Sequence, residues 1–351
     1  MALSIPVTWS DAHRLHAPGT AVWVGARIDA DELPERAELI RATLEETGAP
    51  VVEAVPHADE PLLAVHDAGL VDFLRTAWEN WQMGGMPEAA GADDVVGYIY
   101  PTAGLLGGLD PHVPTALSAR TGAWAFDTMT PVGEGTWEAA RAAVDVALTA
   151  ADLVLDGAPA AYACCRPPGH HVTRSAYGGS CYLNSTAVAA QYLRDRGKSR
   201  VAIVDVDAHH GNGAQAIFWE RDDVLTASVH VDPGAGWFPH FLGFEDETGH
   251  ANVNLPLPPG SGDAIWLAAV DRLAATVKEN GCETLVVALG VDAAAGDPNS
   301  PLAVSEDGYR EAGRLLGALG LPTVLVQEGG YVLETIGPLV RATLEGFESA
   351  R

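Results

Sequence analysis

Cationic side chains are scarce in this chain. Across 351 residues, 20 Lys and Arg stand against 47 Asp and Glu, a formal charge of −27 at neutral pH. So acidic a surface repels phosphate backbones and anionic lipid, which excludes nucleic acid and membrane surfaces as partners and favours a cationic ligand. The same charge also keeps a concentrated protein soluble. Cysteine is scarce as well: Cys164, Cys165, Cys181 and Cys282 form no CxxC pair, which excludes a disulfide framework and points to reduced thiols. No uncharged apolar run is long enough to span a bilayer. The segment Met1–Pro6 lacks the basic region and apolar core of a secretion signal. A cytoplasmic protein is therefore expected.

What is present is a globular composition, 48% hydrophobic, with helix and strand signals alternating along the chain. Apolar runs predict strands at 201–205, 224–230, 284–290 and 323–327. Helical spacing predicts helices over 34–47, 64–80, 136–155, 185–196, 212–219, 263–279, 305–318 and 334–348. Alternation of this kind predicts an α/β fold with a mainly parallel sheet flanked by helices, here as one domain over residues 1–351 without internal repeats. Two stretches read as irregular. Residues 84–127 are rich in Gly and Pro, and so long a loop in a compact domain is usually functional, interfacial or mobile. Residues 232–262 carry Trp237, Phe238, Pro239, His240 and Phe241, aromatics that either wall a pocket or join the core.

The most informative segment is Asp205-Val206-Asp207-Ala208-His209-His210-Gly211-Asn212-Gly213. It ends the apolar run Val201–Val204, and period-two alternation puts Asp205, Asp207 and His209 on one side. Carboxylate and imidazole are good metal ligands, and in open α/β sheets ligands gather at the carboxyl ends of strands. The segment therefore predicts a metal site, and with it an enzyme. Three further motifs fall at strand ends or in the loops that follow. They are Arg166-Pro-Pro-Gly-His-His171 leading into Gly178–Asn184, Leu289-Gly-Val-Asp292 with Gly296-Asp297-Pro298, and Gln327-Glu-Gly-Gly-Tyr331. Each alone is a weak signal; the ordered combination is specific.

In these four motifs, and in Phe238–Gly243 and Val65–Gly69, the chain resembles the zinc-dependent deacetylases of the arginase/histone deacetylase fold, most closely the acetylpolyamine amidohydrolases. The resemblance implies an eight-stranded sheet and one zinc per chain, with ferrous iron as the alternative ion, held by Asp207, His209 and Asp292. It implies that His171 is the general base, that His170 assists electrostatically, and that Asp205 and Asn212 orient His170 and His171. Tyr331 would donate its hydroxyl to the developing oxyanion. A structural potassium ion near Asp205 and Ser228 is implied too. His210 reads as packing, Asp297 as a turn or capping residue, and Cys164, Cys165 and Cys181 as small buried residues rather than metal ligands.

The two-manganese arginase type on the same fold lacks support, since Asp292 is followed by Ala293 and Ala294 and the second metal has no carboxylates. The departures concern substrate. Phe238 matches one aromatic wall of the family's acyl-chain tunnel, but beside Gly179 the opposite position is Ser180, and Asn299 follows Asp297-Pro298 where apolar residues are usual. Loss of one wall predicts a wider, more polar pocket. The expected substrate is an acetylated polyamine or related small amine. The alternatives are an acetyl-lysine protein, a bulkier polar intermediate of specialised metabolism, or, in a different class, a non-catalytic metal-binding sensor. By resemblance the 84–127 loop joins a homodimer interface and supplies acid for a distal amine, with Asp110 as the candidate.

Overall fold

The computed structural model describes residues 3–351. Eight strands form one sheet: β1 (Val7–Trp9), β4 (Val51–Glu53), β5 (Ala160–Ala163), β6 (Val201–Asp205), β7 (Val224–Val231), β8 (Asn252–Leu257), β9 (Thr284–Leu289) and β10 (Thr323–Gln327). Their order is β4-β1-β5-β10-β9-β6-β7-β8, and every pairing is parallel. A separate antiparallel hairpin, β2 (Thr20–Trp23) with β3 (Ala26–Asp29), stands outside the sheet.

A parallel sheet must be covered on both faces, and alternation along the strands divides the core accordingly. Ala202, Val204, Val287, Leu289 and Leu325 face one apolar layer, under helices 35–46, 263–279, 306–317 and 333–349. Val201, Ile203, Val286, Val324 and Val326 face the other, under helices 68–83, 136–155, 185–195 and 212–218. Among the described residues no helix is long and apolar enough to cross a membrane.

Three expectations need correction. The helix expected over 64–80 is two, Glu60–Val65 and Ala68–Met83, broken at His66-Asp67. Asp67 caps the second through Gly69 N–H at 2.7 Å, and the His66 ring is drawn inward by two hydrogen bonds, to the Thr173 carbonyl at 3.0 Å and from Asn184 N–H at 2.9 Å. The stretch 232–262 is not all irregular: it contains β8, an edge strand that tolerates Pro256 because one side needs no ladder hydrogen bond. Strands β1, β4 and β5 had no counterpart in the periodicity, being only 3, 3 and 4 residues long. The 84–127 stretch holds only short helices, 86–90, 103–106 and 117–120, and a single turn of 3-10 helix at 121–123.

The fold's contribution to function lies in strand order. The four motifs follow β5, β6, β9 and β10, and these four strands are contiguous as β5-β10-β9-β6 in the middle of the sheet. Their carboxyl ends open on one place.

Candidate active site

Asp207, His209 and Asp292 meet there, with one ligand atom of each within 4.8 Å of the others. His209 Nδ1 lies 2.9 Å from Asp292 Oδ2 and 3.3 Å from Asp207 Oδ1. Backbone donors fix the carboxylates: Ala208 N–H to Asp292 Oδ1 at 2.8 Å, and His209 and Gly329 N–H to the two oxygens of Asp207, each at 2.8 Å. Glycine is required around them. A Cβ on Gly290 would lie 2.0 Å from Asp207 Oδ2, and one on Gly329 would lie 2.6 Å from oxygens of both aspartates. Two carboxylates and an imidazole, almost wholly out of solvent and converging on one point, fit one divalent metal with open positions. His170, Cys181 and Glu328 also bring ligand atoms within 4.8 Å. That group is poorer: both Glu328 oxygens and His170 Nδ1 are already hydrogen-bonded, and burial pushes the Cys181 thiol well up.

His170 and His171 lie against each other beside the triad, ring centroids 4.0 Å apart and planes tilted by 37°. His170 Nδ1–H donates to Asp205 Oδ2 at 2.8 Å and His171 Nδ1–H to Asn212 Oδ1 at 2.7 Å. Asn212 is oriented in turn by its own N–H₂ on the His171 carbonyl at 3.1 Å. The two rings are thereby pushed apart in proton affinity. Burial lowers the pKa of His171 well below the ordinary value, and the charges of His170 and His209 add to this, leaving Nε2 free to take a proton. Burial also opposes charge on His170, but the carboxylates of Asp207, Asp205 and Glu328 outweigh it and raise its pKa well above the ordinary value. Neighbouring titratable groups with opposite shifts are the pattern expected of acid/base machinery.

Tyr331 sits on the turn after β10. That turn docks through Gly329, whose carbonyl accepts Val291 N–H at 3.0 Å. Buried Arg36 clamps it from below, donating to the Glu328 and Gly330 carbonyls at 2.6 Å each, with its guanidinium 4.7 Å from the Tyr331 ring centroid. Asp297 Oδ2 accepts Tyr331 N–H at 2.9 Å, besides closing its own turn on Asn299 N–H at 3.0 Å. Burial keeps the phenol protonated, and a protonated phenol is a donor.

The residues considered for substrate divide. Phe238 meets His171 edge-on at 4.7 Å and His209 at 6.4 Å. Gly179 has φ +63, and a Cβ there would come within 2.4 Å of the His171 ring, so backbone itself forms that side of the site. Its N–H donates to half-buried Asp127 at 2.6 Å, and Ser180 N–H donates to Thr130 Oγ1 at 2.9 Å. Asn299 turns its amide to Asp31 at 3.3 Å, away from the triad's hydrogen bonds. Asp110 is exposed on the long loop, and no hydrogen bond or ion pair of the described residues links it to the site. Ser228 stands in register with Asp205 across β6 and β7 and contacts His230 Nδ1 at 2.8 Å. His210 is buried against Gln215 and Asn254.

Sequence reasoning gave no role to Glu328, Arg36, Asp127 or Phe126. Glu328 lay inside a recognised motif; the others had no local signal.

The family model for the histone deacetylase domain matches residues 30–347. The chain belongs to the histone deacetylase family. Among curated members it is 40% identical to acetylpolyamine amidohydrolase 1 of Pseudomonas aeruginosa over 97% of this chain and 98% of that one. It is 42% identical to acetylpolyamine amidohydrolase of Burkholderia pseudomallei, covering 96% and 97%. The crystal structure of acetylpolyamine aminohydrolase from Burkholderia pseudomallei superposes with a TM-score of 0.93 at 41% identity, over 99% of this chain and 100% of that one. Family members are metal-dependent amide hydrolases, and the triad of this chain stands where such a metal fits.

Proposed function

We propose that this protein hydrolyses acetylated polyamines or closely related small acetylated amines, and that Asp207, His209 and Asp292 hold a zinc ion for the reaction. The observation that carries the reading is geometric: His171, its Nδ1–H held by Asn212 so that Nε2 is left as the acceptor, lies with its ring 6.1 Å from that of His209 in an oxygen–nitrogen–oxygen triad. The metal, when bound, polarises the amide carbonyl and acidifies water. His171 Nε2 takes the proton from the attacking water. The same proton passes to the amine nitrogen as the C–N bond breaks; the new carboxylic acid gives up the water's second proton to the amine, so that acetate and the ammonium form of the amine leave. Charged His170, held by Asp205, offsets the negative charge that builds on the carbonyl oxygen, and the Tyr331 hydroxyl donates to that oxygen.

Supporting a polyamine-type substrate are the acidic surface, −27 overall, and the names of the full-length relatives. Ferrous iron would suit the same three ligands. A structural potassium ion near Asp205 and Ser228 belongs to the same reading, and a small void lined in part by these two residues supports it. The long loop exposes Tyr98, Ile99, Leu105, Leu109 and Val113, an apolar surface that a second copy of the chain would cover. We therefore read the protein as a homodimer, acting in the cytoplasm.

The test is a panel of acetylputrescine, acetylspermidine, acetyl-lysine peptides and bulkier polar amides with zinc-loaded protein. Turnover of the acetylpolyamines at the highest kcat/KM is expected. Preference for the peptides would replace the substrate class; no turnover of any amide would revive a sensor role. Light scattering at micromolar concentration checks the dimer, and a monomer there defeats it.

A further inference from the structure

Serine at position 180 leaves the site without the aromatic side chain expected opposite Phe238, yet a second ring is present from another part of the chain. Phe126 lies with its ring centroid 6.2 Å from that of Phe238 and the planes 27° apart. It is held there by backbone. Phe126 N–H donates to the Tyr177 carbonyl at 3.0 Å, and the adjacent Asp127 accepts Gly179 N–H at 2.6 Å. The Phe126 ring lies on Gly178, where a Cβ would come within 2.3 Å of it, while Phe238 lies on Gly179, where the corresponding distance is 3.0 Å. The two rings thus rest on consecutive residues of the segment that ends in Ser180. Phe126 remains 37% exposed, so its surface is available to a ligand.

The spacing decides how such a pair can act. A methylene chain between two ring faces needs about 7 Å or more, twice a carbon–carbon contact of roughly 3.5–4.0 Å. At 6.2 Å no chain threads between these rings; they form one continuous apolar surface. Phe238 meets the His171 and His209 rings, whereas Phe126 meets Phe238, which puts it one ring farther from the metal triad.

Resting on the amide-hydrolase reading above, we infer that Phe126 is a specificity-determining residue: it extends the Phe238 surface outward and binds the distal methylenes of the substrate's amine chain, the contact that Ser180 does not supply. A short amide reaches Phe238 only. A longer one also lies on Phe126, so selectivity for chain length resides in this ring.

The experiment compares parent, Phe126→Ala and Phe126→Tyr on mono-acetylated linear diamines of three to six methylenes, with zinc-loaded protein. For the parent, kcat/KM rises with chain length. Each methylene fully buried is worth roughly 0.8 kcal/mol, so two resting on the ring give Phe126→Ala a loss of about tenfold on the longest diamine. The loss appears in KM, with less than twofold change on the shortest, and Phe126→Tyr, which keeps the ring, retains the parent's slope. An Ala variant that lowers all lengths equally, or none, overturns the inference while leaving amide hydrolysis intact. A parent that hydrolyses none of the series overturns both.

Discussion

Glu328 joins the two halves of the site, and removing it should show how strongly they depend on one another. Its buried carboxylate accepts Gly169 N–H at 2.6 Å, His170 N–H at 3.1 Å and Thr186 O–H at 2.6 Å. The strand that presents Tyr331 is thereby tied to the loop that presents both histidines. Glu328→Ala strands three buried donors, and each orphan costs roughly 1–3 kcal/mol. A cavity this polar admits water, which recovers part of the loss, so a net destabilisation of about 3–5 kcal/mol is expected, against a total of roughly 5–15 kcal/mol for a typical domain. Glu328→Gln keeps an oxygen for the two N–H groups, and its amide can donate to a rotated Thr186 hydroxyl. That variant should lose about 1–2 kcal/mol, the difference between charged and neutral hydrogen bonds. Urea denaturation measures both, the midpoint shifting at constant slope. In steady-state assays the Gln variant should lose kcat more than it changes KM, because the residue positions catalytic groups without touching substrate. An Ala variant within 1 kcal/mol of the parent and within threefold in kcat would refute the reasoning.

Tyr331→Phe removes the oxyanion donor alone; kcat should fall roughly 10²–10³-fold with KM and the circular dichroism spectrum little altered, and a kcat within threefold would deny the hydroxyl its role. Asp292→Asn keeps an acceptor for Ala208 N–H but loses the ligand charge, so metal per chain, read by atomic emission after dialysis, should drop at least tenfold; full occupancy would mean the triad is not the metal site. Acid should destabilise the fold through His66, whose pKa burial lowers to about 4 and whose Nε2 already accepts Asn184 N–H. The unfolded imidazole titrates near 6.5, so below that pH the unfolded state binds a proton the folded state refuses. Stability from this residue is whole above 6.5 and is lost down to about pH 4, some 3 kcal/mol over the interval. Denaturation between pH 7 and 4.5 should show a slope shallower by about 1.4 kcal/mol per pH unit in His66→Gln; an unchanged slope would mean that His66 takes up its proton in the folded state too.

The central strands were legible because a strand buried on both faces must be apolar almost throughout, as Val201–Val204 and Leu285–Leu289 are. The edge of the sheet was not, since β8 offers Asn252 and Asn254 where an apolar residue would signal a strand. Those side chains satisfy a buried polar network with Gln215 and Glu247 instead. The break at His66-Asp67 was hidden for a similar reason. Helical spacing runs through it, and only the distant partners Thr173 and Asn184 pull the histidine out of register.

At the site, legibility followed distance along the chain. Asp207 and His209 announce themselves because a strand end places neighbours in sequence side by side in space. Arg36 did not, since its partners Glu328 and Gly330 lie nearly three hundred residues away, and helix 35–46 gives an arginine no reason to point inward. Position 180 carries the same lesson in reverse. Serine there implied a missing wall, an inference sound only if the wall must come from that residue. An isolated parallel bridge between Ala125 and Tyr177 brings the Phe126 segment alongside Gly178, so the apolar surface is assembled from a different stretch of chain. Gly178, which leaves no room for a side chain beneath the Phe126 ring, is the local mark of that arrangement. In the sequence it stands as one more glycine in a glycine-rich turn, with nothing to tell which ring it serves.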